Sequence, residues 1–245
     1  MEQFKYDKDN ILFPYRDLPY SHTPQCRLDG SADPNSKQVR FASVGVIEDM
    51  NGNVLITRRN KNLKSFPLGW VFPGGKLDLK EDFISAMLRE VYEETGILIT
   101  SKNNINYYYK DKECSIEKVL LYESLFPQDA LAPNYQTLVI YYKVKVPVSY
   151  KEIKLNLQIG EVDAYVWIHI DDIYNILNNE YKIEVKGKMY NSQTKRFEVY
   201  TFTHDNFKQR FINREKYIID RTKKEYMPHG HRTAVKIIYE SSHSK

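Results

Sequence analysis

Cysteine is nearly absent from this 245-residue chain: there are two, Cys26 and Cys114, far apart in sequence. Two such thiols make neither a disulfide framework nor a zinc knuckle, and they fit a reducing compartment such as the cytoplasm. Long apolar runs are missing too. Nothing approaches the roughly 18 apolar residues of a membrane helix, and the mean hydropathy is −0.59, so no membrane partner is expected. The opening MEQFKYDKDN has no basic-then-apolar start, so no secretory signal is expected. Charge of one sign is not in excess either. Lys plus Arg number 36 against 32 for Asp plus Glu, a formal +4. That balance suits an anionic ligand such as a phosphate ester but does not by itself argue for a duplex-DNA binder. Internal repeats and low-complexity tracts are also lacking. What is present is apolar content of 42% and aromatic content of 13%, enough for a packed core.

Residues 1–38 hold Pro14, Pro19, Pro24 and Pro34 with Asp, Ser and Gly between them, and read as an extended arm. From Phe41 the pattern becomes that of strands. FASVGVIED, the Asn51-Gly52 turn and VLITRR read as a hairpin, and GWVF is a short strand entering Pro73-Gly74-Gly75. From about Leu79 to Thr95 the period is helical, with Gly96 as its C-cap. ILIT, KVLLYESLF, TLVIYYKVKV and AYVWIHI are further strand candidates, and Asp171-Asp172 are placed to cap a short helix through Asn178. YKIEVKGKMY and KRFEVYTF flank NSQT as a hairpin, with helices expected at 205–221 and 231–241. His229 and His231 read as loop, and Trp70 and Trp167 as core. Strands on both sides of one central helix predict an α/β domain of the α+β type with a mixed central sheet. The expected organisation is an arm at 1–38, a domain at 39–180, and a C-terminal hairpin and helices at 181–245 packed on it.

The informative stretch is GKLDLKEDFISAMLREVYEETGI. On a helix Glu90, Glu93 and Glu94 share one face, their Cβ atoms about 5–6 Å apart. Like charges so placed repel, and a hard divalent cation with a preference for oxygen ligands removes that penalty. Arg89 can tie the outer carboxylates in place. The bland alternative is a solvated acidic face.

This stretch resembles the Nudix box, the signature of hydrolases that cut nucleoside diphosphates linked to another moiety. The matching positions are Gly75, Glu81, Arg89, Glu90, Val91, Glu93, Glu94, Gly96 and Ile97. With each fixed residue near average usage, chance agreement is about one in a billion per starting position. The resemblance implies an α/β/α sandwich and Mg²⁺ or Mn²⁺ held by Glu90, Glu93, Glu94 and the Gly75 backbone. It also implies Glu93 as metal ligand and candidate general base, with Glu81 and Arg89 supporting. Related proteins carry a further acid shortly before a Trp-bearing strand; Glu161 is the candidate here, a solvated loop acid being the alternative. Beyond the box, Phe41–Ile170 looks like the nucleoside-diphosphate-linked moiety X motif 17 branch. The implied substrates are nucleotide sugars, dinucleotides or dinucleoside polyphosphates, and the mild positive charge with the basic C-terminal third adds capped RNA as a further candidate.

A coenzyme A diphosphatase is a competing resemblance, kept at Leu55, Thr57, Arg59 and Phe72–Gly75 but broken at Asn60, Lys64 and Leu68. A second alternative is a non-catalytic nucleotide-sensing module. Arg58, Arg59 and Lys64 can grip phosphate, or merely solvate a strand end. Tyr107–Tyr109 invite base stacking, although alternation sends neighbouring strand residues to opposite faces. The hairpin near 181–203 is basic, through Lys182, Lys186, Lys188, Lys195 and Arg196. It reads as a rim of the site, an RNA contact or a solvated surface.

Overall fold

The computed structural model describes residues 11–12, 39–103, 105–126, 135–178, 184–203 and 225–243. The strands are β1 (Ile11–Leu12), β2 (Val39–Glu48), β3 (Asn53–Arg59), β4 (Trp70–Val71), β5 (Gly74–Lys76), β6 (Thr100–Lys102), β7 (Asn106–Tyr109) and β8 (Lys112–Phe126). They continue with β9 (Tyr135–Lys145), β10 (Val162–His169), β11 (Glu184–Asn191) and β12 (Arg196–Thr203). The helices are α1 (Phe83–Thr95), α2 (Ile170–Leu177) and α3 (His229–His243). The strand order is β12-β11-β10-β3-β2-β9-β8-β7-β6, with β1, β4 and β5 attached to β8, β3 and β2. The β2–β9 and β1–β8 pairs are parallel and the others antiparallel, so the sheet is mixed.

Alternation along the central strands divides the apolar residues between two cores. Val44, Val46, Val54, Ile56, Val166 and Ile168 join Ile173 of α2 and Val235 and Ile238 of α3. Ile47, Leu55, Val144 and Trp167 point the other way, onto Met87 and Val91 of α1. Helices on both faces of one mixed sheet make an α/β/α sandwich. Gly45 permits the close seat of α1, since a Cβ there would lie 2.8 Å from Val91 Cγ2.

The β2–β3 turn is built around Asp49. Its carboxylate accepts from the backbone N–H groups of Asn51 (2.9 Å), Asn53 (2.8 Å) and Tyr150 (2.9 Å), and Gly52 takes φ 81°. Beyond Glu48–Val54 the two strands separate, and β5 pairs with β2 instead, Ser43 opposite Gly75 and Val44 opposite Gly74. The Gly45 N–H donates to Pro73 O at 2.9 Å. The Pro-Gly-Gly turn is thereby wedged into the opened sheet beside α1.

Several local expectations are corrected. The central helix begins at Phe83, not near Leu79, because the Asp82 carboxylate caps it by accepting from Ile84 N and Ser85 N. Its C-terminus is as expected: Gly96 at φ 74° donates back to Tyr92 O. ILIT is not a strand. Ile97 and Ile99 plug the α1-side core, and pairing starts only at Thr100. The cap of α2 is His169, whose ring accepts from Asp171 N, with Asp171 and Asp172 in the first turn. His229 and His231 open α3 instead of lying in a loop. The helix expected at 205–221 and most of the 1–38 arm lie outside the described residues. Trp70 and Trp167 are core, as expected. The β11–β12 hairpin forms as expected and continues the sheet through the β10–β11 pairing.

Candidate active site at the α1 and glycine turn

Arg89 organises the acidic face of α1. Its Nε and Nη2 donate to the two Glu81 oxygens at 3.0 and 2.9 Å, a bidentate pair. Its Nη1 donates to Glu90 Oε1 at 2.9 Å and Glu93 Oε2 at 3.1 Å, and Nη2 also donates to Lys76 O at 2.9 Å. One guanidinium thus joins α1, the loop before it and β5. Glu81 precedes the helix cap instead of lying on the helix, and hydrogen bonding to Arg89 holds its carboxyl below the usual range.

The three helical carboxylates have different environments. Glu93 is half exposed. Glu90 is largely buried, and desolvation raises its pKa against the pull of Arg89. Glu94 is only 2% exposed, and burial pushes its carboxyl up to about 8. Arg59 opposes that shift, while the charges of Glu90 and Glu161 reinforce it. Among the described residues its one close donor is the Gly74 N–H at 3.3 Å. The Gly75 backbone lies against Glu90, and Ser43, in register opposite Gly75, buries a hydroxyl with no hydrogen-bond partner among the described residues.

Among the described residues, no three His, Cys, Asp or Glu side chains are yet arranged to hold a metal ion together. Glu90 and Glu93 are instead drawn to Arg89. The donor chemistry nevertheless fits a hard divalent cation. Oxygen ligands converge on one helix face, and one carboxylate is buried with little to balance its charge. Glu90, Glu93, Glu94 and the Gly75 carbonyl are the groups that would hold it.

Glu161 sits at the end of a turn in which its N–H donates to Gln158 O and its carbonyl accepts from Asn60 N at 2.7 Å. Its charge adds to the upward shift of the carboxyls of Glu90 and Glu94. Arg59 acts on Glu94, and its Nε donates to Ser65 O at 2.9 Å. Lys64 is exposed in the loop between β3 and β4. Leu68, at the place where the coenzyme A pattern has glycine, adopts φ 60°.

Arg58 does not stand with Arg59. On a strand the two must face opposite sides, and Arg58 turns to the α2–α3 face, where it ion-pairs with Asp163 at 2.7 Å and with Glu225. Glu225 also accepts from Trp70 Nε1 at 3.2 Å. The guanidinium is 10% exposed and closes an internal clasp instead of offering itself to a phosphate. Period-two alternation could have signalled that only one of the adjacent arginines reaches the site. Sequence reading also missed His231. Half-buried, it accepts at Nδ1 from Phe72 N at 3.1 Å and so holds the strand end before the glycine turn from behind. Only its place on the apolar stripe of α3 hinted at this.

Residues 39–192 match the NUDIX domain, and the chain belongs to that family. It is 32% identical over 154 residues to the m7GpppN-mRNA hydrolase NUDT17 of Xenopus laevis, covering 60% of this chain and 48% of that protein. It is 28% identical over 167 residues to the putative 8-oxo-dGTP diphosphatase YtkD of Bacillus subtilis, covering 68% and 87%. The chain spans about half the length of the NUDT17 relatives it matches. Among solved structures, the MutT protein of Methanosarcina mazei aligns at 20% identity and a TM-score of 0.44, over 59% of this chain and 85% of that one. No helix among the described residues is long and apolar enough to cross a membrane.

Proposed function

We propose that this chain is a divalent-metal-dependent hydrolase that cleaves a diphosphate linkage in a nucleoside diphosphate joined to another moiety, with capped RNA as the favoured substrate and the cytoplasm as its setting. The observation that carries this reading is Glu94, a buried carboxylate facing the Gly74–Gly75 turn beside Glu90, with a local charge imbalance that a cation would remove. Similarity to several cap hydrolases supports the choice of RNA.

A bound Mg²⁺ or Mn²⁺ would neutralise the diphosphate and acidify a water. Glu93, the most exposed of the three, would accept a proton from the attacking water as its oxygen adds to phosphorus and the bridging P–O bond breaks, its electron pair leaving with the departing phosphate. Arg89 orients Glu90 and Glu93, and Glu81 fixes Arg89. Glu161 is placed to assist as a second acid or base. Arg59 and Lys64 bind substrate phosphate. The products are a nucleoside phosphate and a phosphorylated remainder.

The test is a mass-spectrometric turnover screen with Mg²⁺ and with Mn²⁺ over capped RNA, free cap dinucleotide, nucleotide sugars, ADP-ribose, dinucleoside polyphosphates and coenzyme A. Cleavage of capped RNA to 5′-phosphorylated RNA, lost in Glu93→Gln, is the expected result. Preference for coenzyme A would replace the substrate assignment. Ligand binding with no turnover in either protein would make the domain a sensor.

A further inference from the structure

The α1 face of the sheet is covered by α1 over β2 and β5, and over β3 and β10 also by residues 146–155, whose Tyr150 stacks on Trp167 at 5.8 Å. Beyond β10 that cover ends: among the described residues, none from β11 or β12 joins the α1-side core. Residues directly opposite in an antiparallel pair share a face. The register therefore runs Thr57–Tyr165–Lys188–Val199 across four strands, with Tyr190 opposite Phe197 and Lys186 opposite Thr201 beside it. The other face of the hairpin is accounted for: Val185, Met189, Tyr200 and Phe202 pack into the α2–α3 core.

The open side is unlike a merely solvated hairpin. Val199 is 71% exposed. Phe197 is the middle ring of a cluster, with centroids 6.0 Å from Tyr165 and 5.4 Å from Tyr190. Exposed Lys186 and Lys188 stand on the same side, with Glu184 the one acid among them in register. Glu198 points to the opposite side and accepts from Asn191 Nδ2 and Thr194 Oγ1. The hairpin turn, with exposed Lys195 and Arg196, meets the sheet end where β10 begins just after Glu161 and β3 ends at Arg59. The surface is thus continuous with the candidate active site.

We infer that the open face of β10–β12 is a docking platform for single-stranded RNA. Bases lie on Tyr165, Tyr190 and Phe197, and phosphates pair with Lys186 and Lys188. Aromatic faces interleaved with cations suit an unpaired polyanion whose bases are free to stack, whereas a duplex hides those faces. The role in catalysis rests on capped RNA being the substrate; the binding itself does not.

Two arms separate these claims. In the first, fluorescence anisotropy follows a short uncapped single-stranded RNA on the full chain. Lys186→Gln/Lys188→Gln is expected to weaken binding about tenfold and to lower the salt slope by about 1.4, and Tyr190→Ala to weaken binding about tenfold. Thermal unfolding verifies that each variant is folded. Equal binding by wild type and the lysine double variant overturns the platform. So does equal affinity for a duplex of the same sequence, or for polyglutamate, which would mark an unselective basic patch.

In the second arm, the double variant is expected to lose about tenfold in kcat/KM on capped RNA but nothing on the cap dinucleotide. If both proteins cut capped RNA equally, the platform falls and the hydrolase reading stands. If neither cuts it while the first arm gives the expected losses, the substrate assignment falls and the platform stands.

Discussion

A methyl group on Gly75 would collide with the carboxylate of Glu90. The backbone of the glycine turn and the first helical carboxylate are therefore in contact, and only hydrogen fits between them. Gly75→Ala displaces the flexible end of Glu90 while leaving the β2–β5 pairing intact. Turnover is expected to fall about a hundredfold, the scale of a 1 Å misplacement at a reacting centre. Unfolding by circular dichroism should shift little; a large loss of stability would mean that the glycine serves the sheet instead.

Arg58 and Arg59 are neighbours with opposite tasks. Arg58→Ala leaves Asp163 and Glu225 without their buried cation, and breaking such a pair from one side costs about 3–5 kcal/mol. Denaturant titration should record that loss. Arg59→Ala should leave the midpoint nearly unchanged and depress kcat/KM on a diphosphate substrate. The reverse pattern would show that the strand faces are misassigned.

Glu94→Gln keeps the shape of the side chain and removes the buried charge. Without metal the variant should be at least as stable as wild type at pH 8.5, because the native state no longer buries an ionised carboxylate. With added Mg²⁺ or Mn²⁺, the wild type should gain thermal stability and the variant much less. Equal gains in both would remove Glu94 from the metal set.

His231 supplies a pH dependence whose sign follows from its burial. Desolvation lowers its pKa to about 3, with Arg59 adding to the effect. The folded protein then keeps the ring neutral, while the unfolded chain takes up a proton below its ordinary value near 6.5. Stability is lost progressively as pH falls from about 6.5 towards 3, by up to about 1.4 kcal/mol per unit. His231→Gln retains an acceptor for Phe72 N but cannot titrate, so its unfolding free energy should fall less steeply over that window. Parallel slopes would sink this assignment. Burial lowers the pKa of His229 in the same direction, so the variant should retain part of the slope.

The shared acidic face of the candidate site was legible along the chain because it is written at helical spacing. Three glutamates at i, i+3 and i+4 share a face whatever else the chain does, and Arg89 reaches Glu93 from one turn away. Alternation of Val54, Leu55 and Ile56 likewise carries the two-sided burial of a central strand. Helix boundaries were less legible: Asp82 caps α1 so that the helix starts at Phe83, four residues after the periodic pattern begins at Leu79, because a side-chain acceptor for two N–H groups outweighs weak periodicity.

Contacts across long sequence separations were decided by the folded structure alone. Burial makes one arginine of an adjacent pair structural, since its partners Asp163 and Glu225 lie 105 and 167 residues away. His231 reaches Phe72 across 159 residues because α3 packs on the sheet behind the glycine turn. The unequal environments of Glu90, Glu93 and Glu94 belong to the same class. Composition makes the three identical, and only the wedge of β5 into the opened sheet shuts Glu94 away from water while leaving Glu93 in reach of it.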